Sequence, residues 1–130
     1  MSAERQLLVI TVDIDPSQDR EFNRWYDEVH VPEITACEGI HAAWRLRSDE
    51  PEQQPRYLTC YLVDGPHVLE TPELLEVRGW GPFEASVNNY RRLWFRPVGG
   101  KDVQLLADLG VAHEGGVAGQ AAPEEANDDR

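Results

Sequence analysis

Ile40-His-Ala-Ala-Trp-Arg-Leu-Arg47 and Arg56-Tyr-Leu-Thr-Cys-Tyr-Leu-Val63, with the polar run Ser48 to Pro55 between them, are the segments whose reading decides the fold. In the first, Ile40, Ala42, Trp44 and Leu46 alternate with His41, Ala43, Arg45 and Arg47, the two-residue period of a strand with one wetter face. The second is a short apolar run rich in aromatic residues, and the connection holds Pro51 and Pro55 among polar residues, which is turn chemistry. Together they predict an antiparallel hairpin.

On the N-terminal side Gly39 suits a helix exit. From Glu21 to about Ala36, the residues Phe22, Trp25, Tyr26, Val29 and Glu33 recur every three or four positions, which predicts an aromatic-faced helix kinked at Pro32. Ser17 or Asp19 is its expected cap. Before it, Leu7 to Ile14 is a β-branched run closed by Asp15-Pro16, a strand and a turn. On the C-terminal side Asp64-Gly65-Pro66 breaks the chain, and Thr71 followed by Pro72 starts a helix over Pro72 to Val77. Gly79-Trp80-Gly81-Pro82 interrupts it, a helical turn is expected over Phe83 to Asn88, and Tyr90 to Val98 is the last strand.

Strand, helix, strand, strand, helix, strand is the split βαβ pattern, an α+β, ferredoxin-like βαββαβ domain with a four-stranded antiparallel sheet and both helices on one face. The other face is expected to carry Val9, Thr11, Ala43, Tyr57, Thr59, Tyr61 and Trp94, too apolar to stay wet. A symmetric homodimer would cover it.

A chain of 130 residues suits one domain, expected over 1–111, with a short helix or arm from Val103 to Val111. Residues 112–130 hold Gly, Ala, Pro and acids without periodicity, which reads as an acidic disordered tail. The net charge of −12 disfavours nucleic acid and anionic membrane surfaces as partners. No apolar run is long enough to span a bilayer, and Met1-Ser2-Ala3-Glu4-Arg5 lacks the regions of a signal peptide, so a cytoplasmic protein is expected. Cys37 and Cys60 match no metal-ligand spacing and read as free, buried thiols.

The segment Phe22-Asn-Arg-Trp-Tyr26-Asp-Glu-Val-His30-Val-Pro32, followed by Gly39 and a strand, resembles the EthD-like members of the dimeric α/β-barrel superfamily, whose first helix carries a similar aromatic, Tyr, His, Pro series. The chain departs from the commonest form of that pattern in having Glu38 where a proline usually precedes the glycine. The resemblance implies a homodimer whose two sheets form a barrel, with a pocket in each subunit between sheet and helices. Relatives of this kind include isomerases, cyclases, decarboxylases, cofactor-free monooxygenases and haem-dependent enzymes.

His30 is the first candidate for chemistry, because an imidazole moves protons near neutrality. Asp27 and Tyr26 stand three and four residues before it, where either could orient the ring; the simpler alternative is that His30 only braces the Pro32 kink. Thr11 and Asp13 from the first strand, with His41 and Arg45 from the second, are expected on one side of the sheet, where they could bind an anion or polarise a carbonyl. Tyr57, Tyr61, Arg92 and Trp94 would line the same cavity and suit a flat hydrophobic substrate, unless they form a dimer core with snorkelling arginines. Asp13, if buried, could serve as a base, or it simply begins the turn at Pro16. Trp80, between two glycines, is a candidate lid or a plug for the helix break.

No phosphate-binding glycine loop, nucleophile elbow or paired-histidine zinc spacing is seen, and no metal or cofactor is expected. The reading that follows is a cofactor-independent lyase, isomerase or cyclase of secondary metabolism. It would act by general acid/base chemistry on a hydrophobic, oxygenated small molecule, aromatic or polyketide-like. A cofactor-free monooxygenase, a non-catalytic dimeric ligand-binding module, and a haem protein ligated by His30 or His67 are the alternatives.

Overall fold

The computed structural model describes residues 5–101, so the expected arm at 103–111 and the tail at 112–130 lie outside the described residues. Four strands, β1 (Gln6–Ile14), β2 (Ile40–Arg47), β3 (Tyr57–Val63) and β4 (Val87–Phe95), form one antiparallel sheet in the order β2-β3-β1-β4. This is the interleaved strand order of the ferredoxin-like unit. Among the described residues no helix is long and apolar enough to cross a membrane.

The segment between β1 and β2 is helical throughout but not uniformly so. α1 (Asp19–Trp25) runs into a π-helical turn (Tyr26–His30), and α2 (Val31–Thr35) completes it. The wide turn closes when the Val31 N–H donates to the Tyr26 carbonyl, five residues back. Pro32 follows at once; it has no N–H to give and its ring crowds the preceding turn, a conflict that one extra residue per turn relieves. The consequence reaches the core. A helix of period 3.6 would turn Val29 and Glu33 inward, as the sequence suggests. Instead the buried stripe is Phe22, Tyr26, His30 and Ile34, four residues apart throughout, and Val29 is 41% exposed.

The helix entry also differs from expectation. Neither Ser17 nor Asp19 caps α1; the Asp15 carboxylate accepts the Ser17 N–H at 2.9 Å and opens a 3₁₀ turn, Pro16–Gln18, that leads into it. α3 (Pro72–Val77) starts as the sequence predicts, with the Thr71 hydroxyl accepting the Leu74 N–H at 3.4 Å. The helical turn expected over Phe83 to Asn88 is absent. Gly81–Phe83 is a single 3₁₀ turn, and β4 already begins at Val87 and ends at Phe95. The early start follows from the ladder with β1, which slips register between Thr11 and Asp13. Asn89 takes a left-handed φ of 56°, which asparagine tolerates, and donates its side-chain amide to Asp13 at 2.6 Å.

Register decides the faces. Leu8 lies opposite Tyr61 and Trp94, Ile10 opposite Thr59 and Arg92, Val12 opposite Tyr57, and Ala43 opposite Tyr61. That face receives Phe22, Tyr26, Ile34, Leu74, Trp80 and Phe83 from the helical segments and forms the core. The expected bare face is therefore corrected. Val9 and Thr11 do lie on the other side, but Ala43, Tyr57, Thr59, Tyr61 and Trp94 lie under the helices. Trp44, Leu46 and Phe95 take their place on the outer face, 39%, 53% and 51% exposed.

Gly39 joins α2 to β2 with φ +95°, and a Cβ there would stand 2.7 Å from Val68 Cγ2. Gly39→Ala should therefore lower the unfolding free energy in urea by about 2 kcal/mol, through both the backbone conformation and the clash.

Candidate active site

The spacing of Phe22, Tyr26, His30 and Ile34 carries two polar side chains into the space between helices and sheet. There Tyr26 and His30, with Leu8, Ile10, Tyr61, Tyr90 and Arg92 from the sheet, and Leu74, Arg78, Trp80 and Glu84 beyond it, line a cavity of about 440 Å³. This is within the usual size of a small-molecule site, and its walls are mostly apolar with a few polar groups. Arg78, Glu84, Tyr90 and Arg92 are exposed and form its mouth, whereas Tyr26, His30, Tyr61 and Trp80 are buried.

His30 is 5% exposed and stacks on Trp25, with ring centroids 4.6 Å apart and planes at 17°, while Tyr26 meets it edge-on at 5.1 Å. Its Nδ1 is buried without a hydrogen-bond partner. Burial, and then the charge of Arg45, push the imidazole pKa down to about 4, so the ring is neutral at pH 7. The Tyr26 hydroxyl accepts from Thr59 Oγ1 at 3.0 Å. The Tyr61 hydroxyl lies beside it, buried, with no partner in hydrogen-bond geometry. Burial pushes both phenols up, so both keep their protons.

The expected support of His30 by Asp27 is not what the structure holds. Asp27 points out of the helix, 62% exposed at its side chain, and pairs with Arg45 at 2.9 Å. The same guanidinium bonds Asn23 at 2.8 Å and sits 4.2 Å over the Tyr26 ring, behind the wall of the cavity. An α-helical geometry would have set Asp27 close to His30; the wide turn rotates them apart. Orientation of the imidazole comes from Trp25 and Tyr26.

Of the other residues singled out from the sequence, Tyr26, Tyr61, Trp80 and Arg92 join His30 around the cavity, and the rest lie elsewhere. Asp13 accepts the Arg56 N–H and the Asn89 amide, a clamp between strands. Thr11 is on the far face, with its hydroxyl 3.5 Å from the Asn89 carbonyl. His41 is at the surface, 2.7 Å from Asp64. Tyr57 donates to Asp19 at 2.5 Å and accepts from Asn23 at 3.0 Å. Trp94 packs against the core. Trp80 is a wall, 7% exposed and packed on Phe22, Tyr26 and Tyr90, and Gly81 beside it leaves room for Trp25, since a Cβ would stand 2.8 Å from that ring. Arg78, Glu84 and Tyr90 were not legible as lining residues: Arg78 and Glu84 flank the break at 79–82, Tyr90 reads only as a strand residue, and only the fold gathers them.

Cys37 and Cys60 are free, and burial pushes both thiols up, away from the thiolate. Among the described residues no group of three or more His, Cys, Asp or Glu side chains is placed to hold a metal ion.

The fold is shared with solved proteins of low sequence identity. HapK from Hahella chejuensis superposes with a TM-score of 0.59 at 12% identity, over 75% of this chain and 96% of that one. A conserved protein of unknown function from Bacteroides thetaiotaomicron, described as a possible oxidoreductase, superposes with a TM-score of 0.54 at 13% identity, over 73% of this chain and 99% of its own. No curated protein sequence matches the chain. Residues 5–71, more than half of the chain, match a protein family, so the chain belongs to the family described as Domain of unknown function, DUF4286.

Proposed function

We propose that the cavity is the active site of an enzyme that moves a proton at carbon on a hydrophobic, oxygenated small molecule without a cofactor. The observation that carries this is His30 Nδ1, a buried polar atom without a hydrogen-bond partner among the described residues, on a ring that lines the cavity together with the buried Tyr61 hydroxyl. Buried polar groups are nearly always satisfied, and an exception calls for an explanation such as a catalytic role or a bound water or ion. In this reading the neutral imidazole takes a proton from a carbon next to a carbonyl. Tyr61 donates to the oxygen that becomes the enolate, and the imidazolium returns its proton to another carbon or to a leaving group. A weakly basic imidazole suits a carbon already acidified by flanking carbonyls. Isomerisation, cyclisation and dehydration share this first step, while decarboxylation reaches the same enolate by losing CO₂ and then takes a proton at that carbon.

The likeness of Phe22–Pro32 to EthD-like proteins supports the same placement of chemistry, and π turns recur at functional sites. The neighbour described as a possible oxidoreductase favours one second reading, a cofactor-free monooxygenase in which O₂ reacts with the carbanion formed by that deprotonation. A homodimer through Trp44, Leu46 and Phe95 is part of the proposal. The cavity lies on the helix side of the sheet, so its walls come from one subunit.

Incubating the full chain with 1,3-diketones and aryl ketones in D₂O, with NMR detection of carbon-bound deuterium, tests the reading. Catalysed exchange at one carbon is expected, and repeating the reaction in air and under nitrogen separates isomerisation from oxygenation. Ligands that bind with no exchange at any carbon would leave a binding module and sink the catalytic reading.

A further inference from the structure

The mouth of the cavity holds an unspent cation. The Arg92 side chain makes no hydrogen bond, ion pair or ring contact among the described residues, although acids outnumber lysine and arginine 24 to 12 in this chain. Across the same cavity Arg78 donates to the Leu69 carbonyl at 3.2 Å and stands 3.7 Å from Glu70, which leaves part of its fork unused. Glu84 is the one acid among the lining residues, and its carboxylate faces the Trp80 N–H at 3.4 Å. Counting Glu70, the entrance sets two guanidiniums against two carboxylates, and Arg92 is the cation left without a partner among the described residues.

We infer that the substrate is a carboxylic acid, with its carboxylate on Arg92 and Arg78 at the mouth and its apolar body directed inward toward Trp80, Tyr61 and His30. This rests on the reading of the cavity as the active site. A guanidinium presents two parallel N–H groups that match a carboxylate, and beside apolar walls the attraction is screened less than in open water. Anionic substrates would otherwise be repelled by the acidic surface, so an unpaired guanidinium at the entrance also sets which molecules are held there.

Calorimetric titration of the full chain with naphthalene-2-carboxylate and with its neutral counterpart naphthalene-2-carboxamide tests this. The carboxylate is expected to bind about 10- to 100-fold more tightly. Arg92→Met should cut that carboxylate-over-carboxamide ratio by about fivefold or more, Arg92→Lys should restore part of it, and Arg78→Met should reduce it further. Equal affinity for the two probes, a preference that survives both Arg92→Met and Arg78→Met, tighter binding of naphthyl phosphate, or binding of neither probe would each overturn the assignment. The two proposals fail separately. A carboxylate preference without carbon exchange leaves this site standing and removes the catalysis; exchange on neutral ketones without a carboxylate preference does the reverse.

Discussion

Replacing His30 by alanine is expected to lower the rate of carbon exchange by about 10²- to 10⁴-fold, the usual worth of a positioned general base. The imidazole is the one ionisable group with a pKa below neutrality among the buried lining of the cavity, and Tyr26 and Tyr61 remain protonated donors. Tyr61→Phe removes only the donor to the developing oxyanion and should cost about 10²-fold in kcat. Asp27→Asn is the matched control. Its carboxylate is spent on Arg45 and largely exposed, so the rate should stay within about threefold of wild type. The pH profile adds a signature that packing alone cannot give: kcat/KM should be flat through neutrality and fall only toward about pH 4, where the ring of the free enzyme takes up a proton. A break near the ordinary histidine value, or an alanine variant that keeps its rate with an intact circular dichroism spectrum, would remove His30 from the chemistry.

The same shift makes the fold sensitive to acid, and the sign is fixed by linkage. The imidazole titrates at about 4 in the folded chain against an ordinary value of 6.5. Above pH 6.5 the ring is neutral in both states and stability is full. Between 6.5 and 4 the unfolded chain binds a proton that the folded chain refuses, so stability falls as pH drops, by up to about 3 kcal/mol in total. Below pH 4 both states are protonated and this loss levels off. Carboxylates titrate in the same window, so the quantity to measure is the difference between wild type and His30→Phe, which keeps an aromatic ring against Trp25 but cannot ionise. Urea unfolding at a series of pH values should show wild type losing about 3 kcal/mol relative to that variant between pH 7 and pH 4. A constant difference across the range would mean that the ring is solvated in the folded state.

Much of the architecture was legible because it is local. The hairpin from Ile40 to Val63, the Thr71-Pro72 helix start and the glycine at the exit of α2 each depend on a few adjacent residues whose backbone preferences agree, and the order of elements then leaves one compact way to pack them. His30, Tyr26, Tyr61, Trp80 and Arg92, singled out by residue type, all line the cavity. Their grouping was not. Alternation along a strand tells which residues share a face with each other, but only the register between strands tells which face that is, and so Ala43, Tyr57, Thr59, Tyr61 and Trp94 were assigned to the wrong side of the sheet. Residue spacing on a helix assumes 3.6 residues per turn, and the π turn before Pro32 broke that assumption. It turned His30 into the core and left Asp27 outside to pair with Arg45. The sequence by itself thus determined the elements and the chemical inventory of this protein. Tertiary structure alone decided which of those groups meet in one cavity, because helix phase and strand register are settled by the whole of the packing and not by any neighbouring residue.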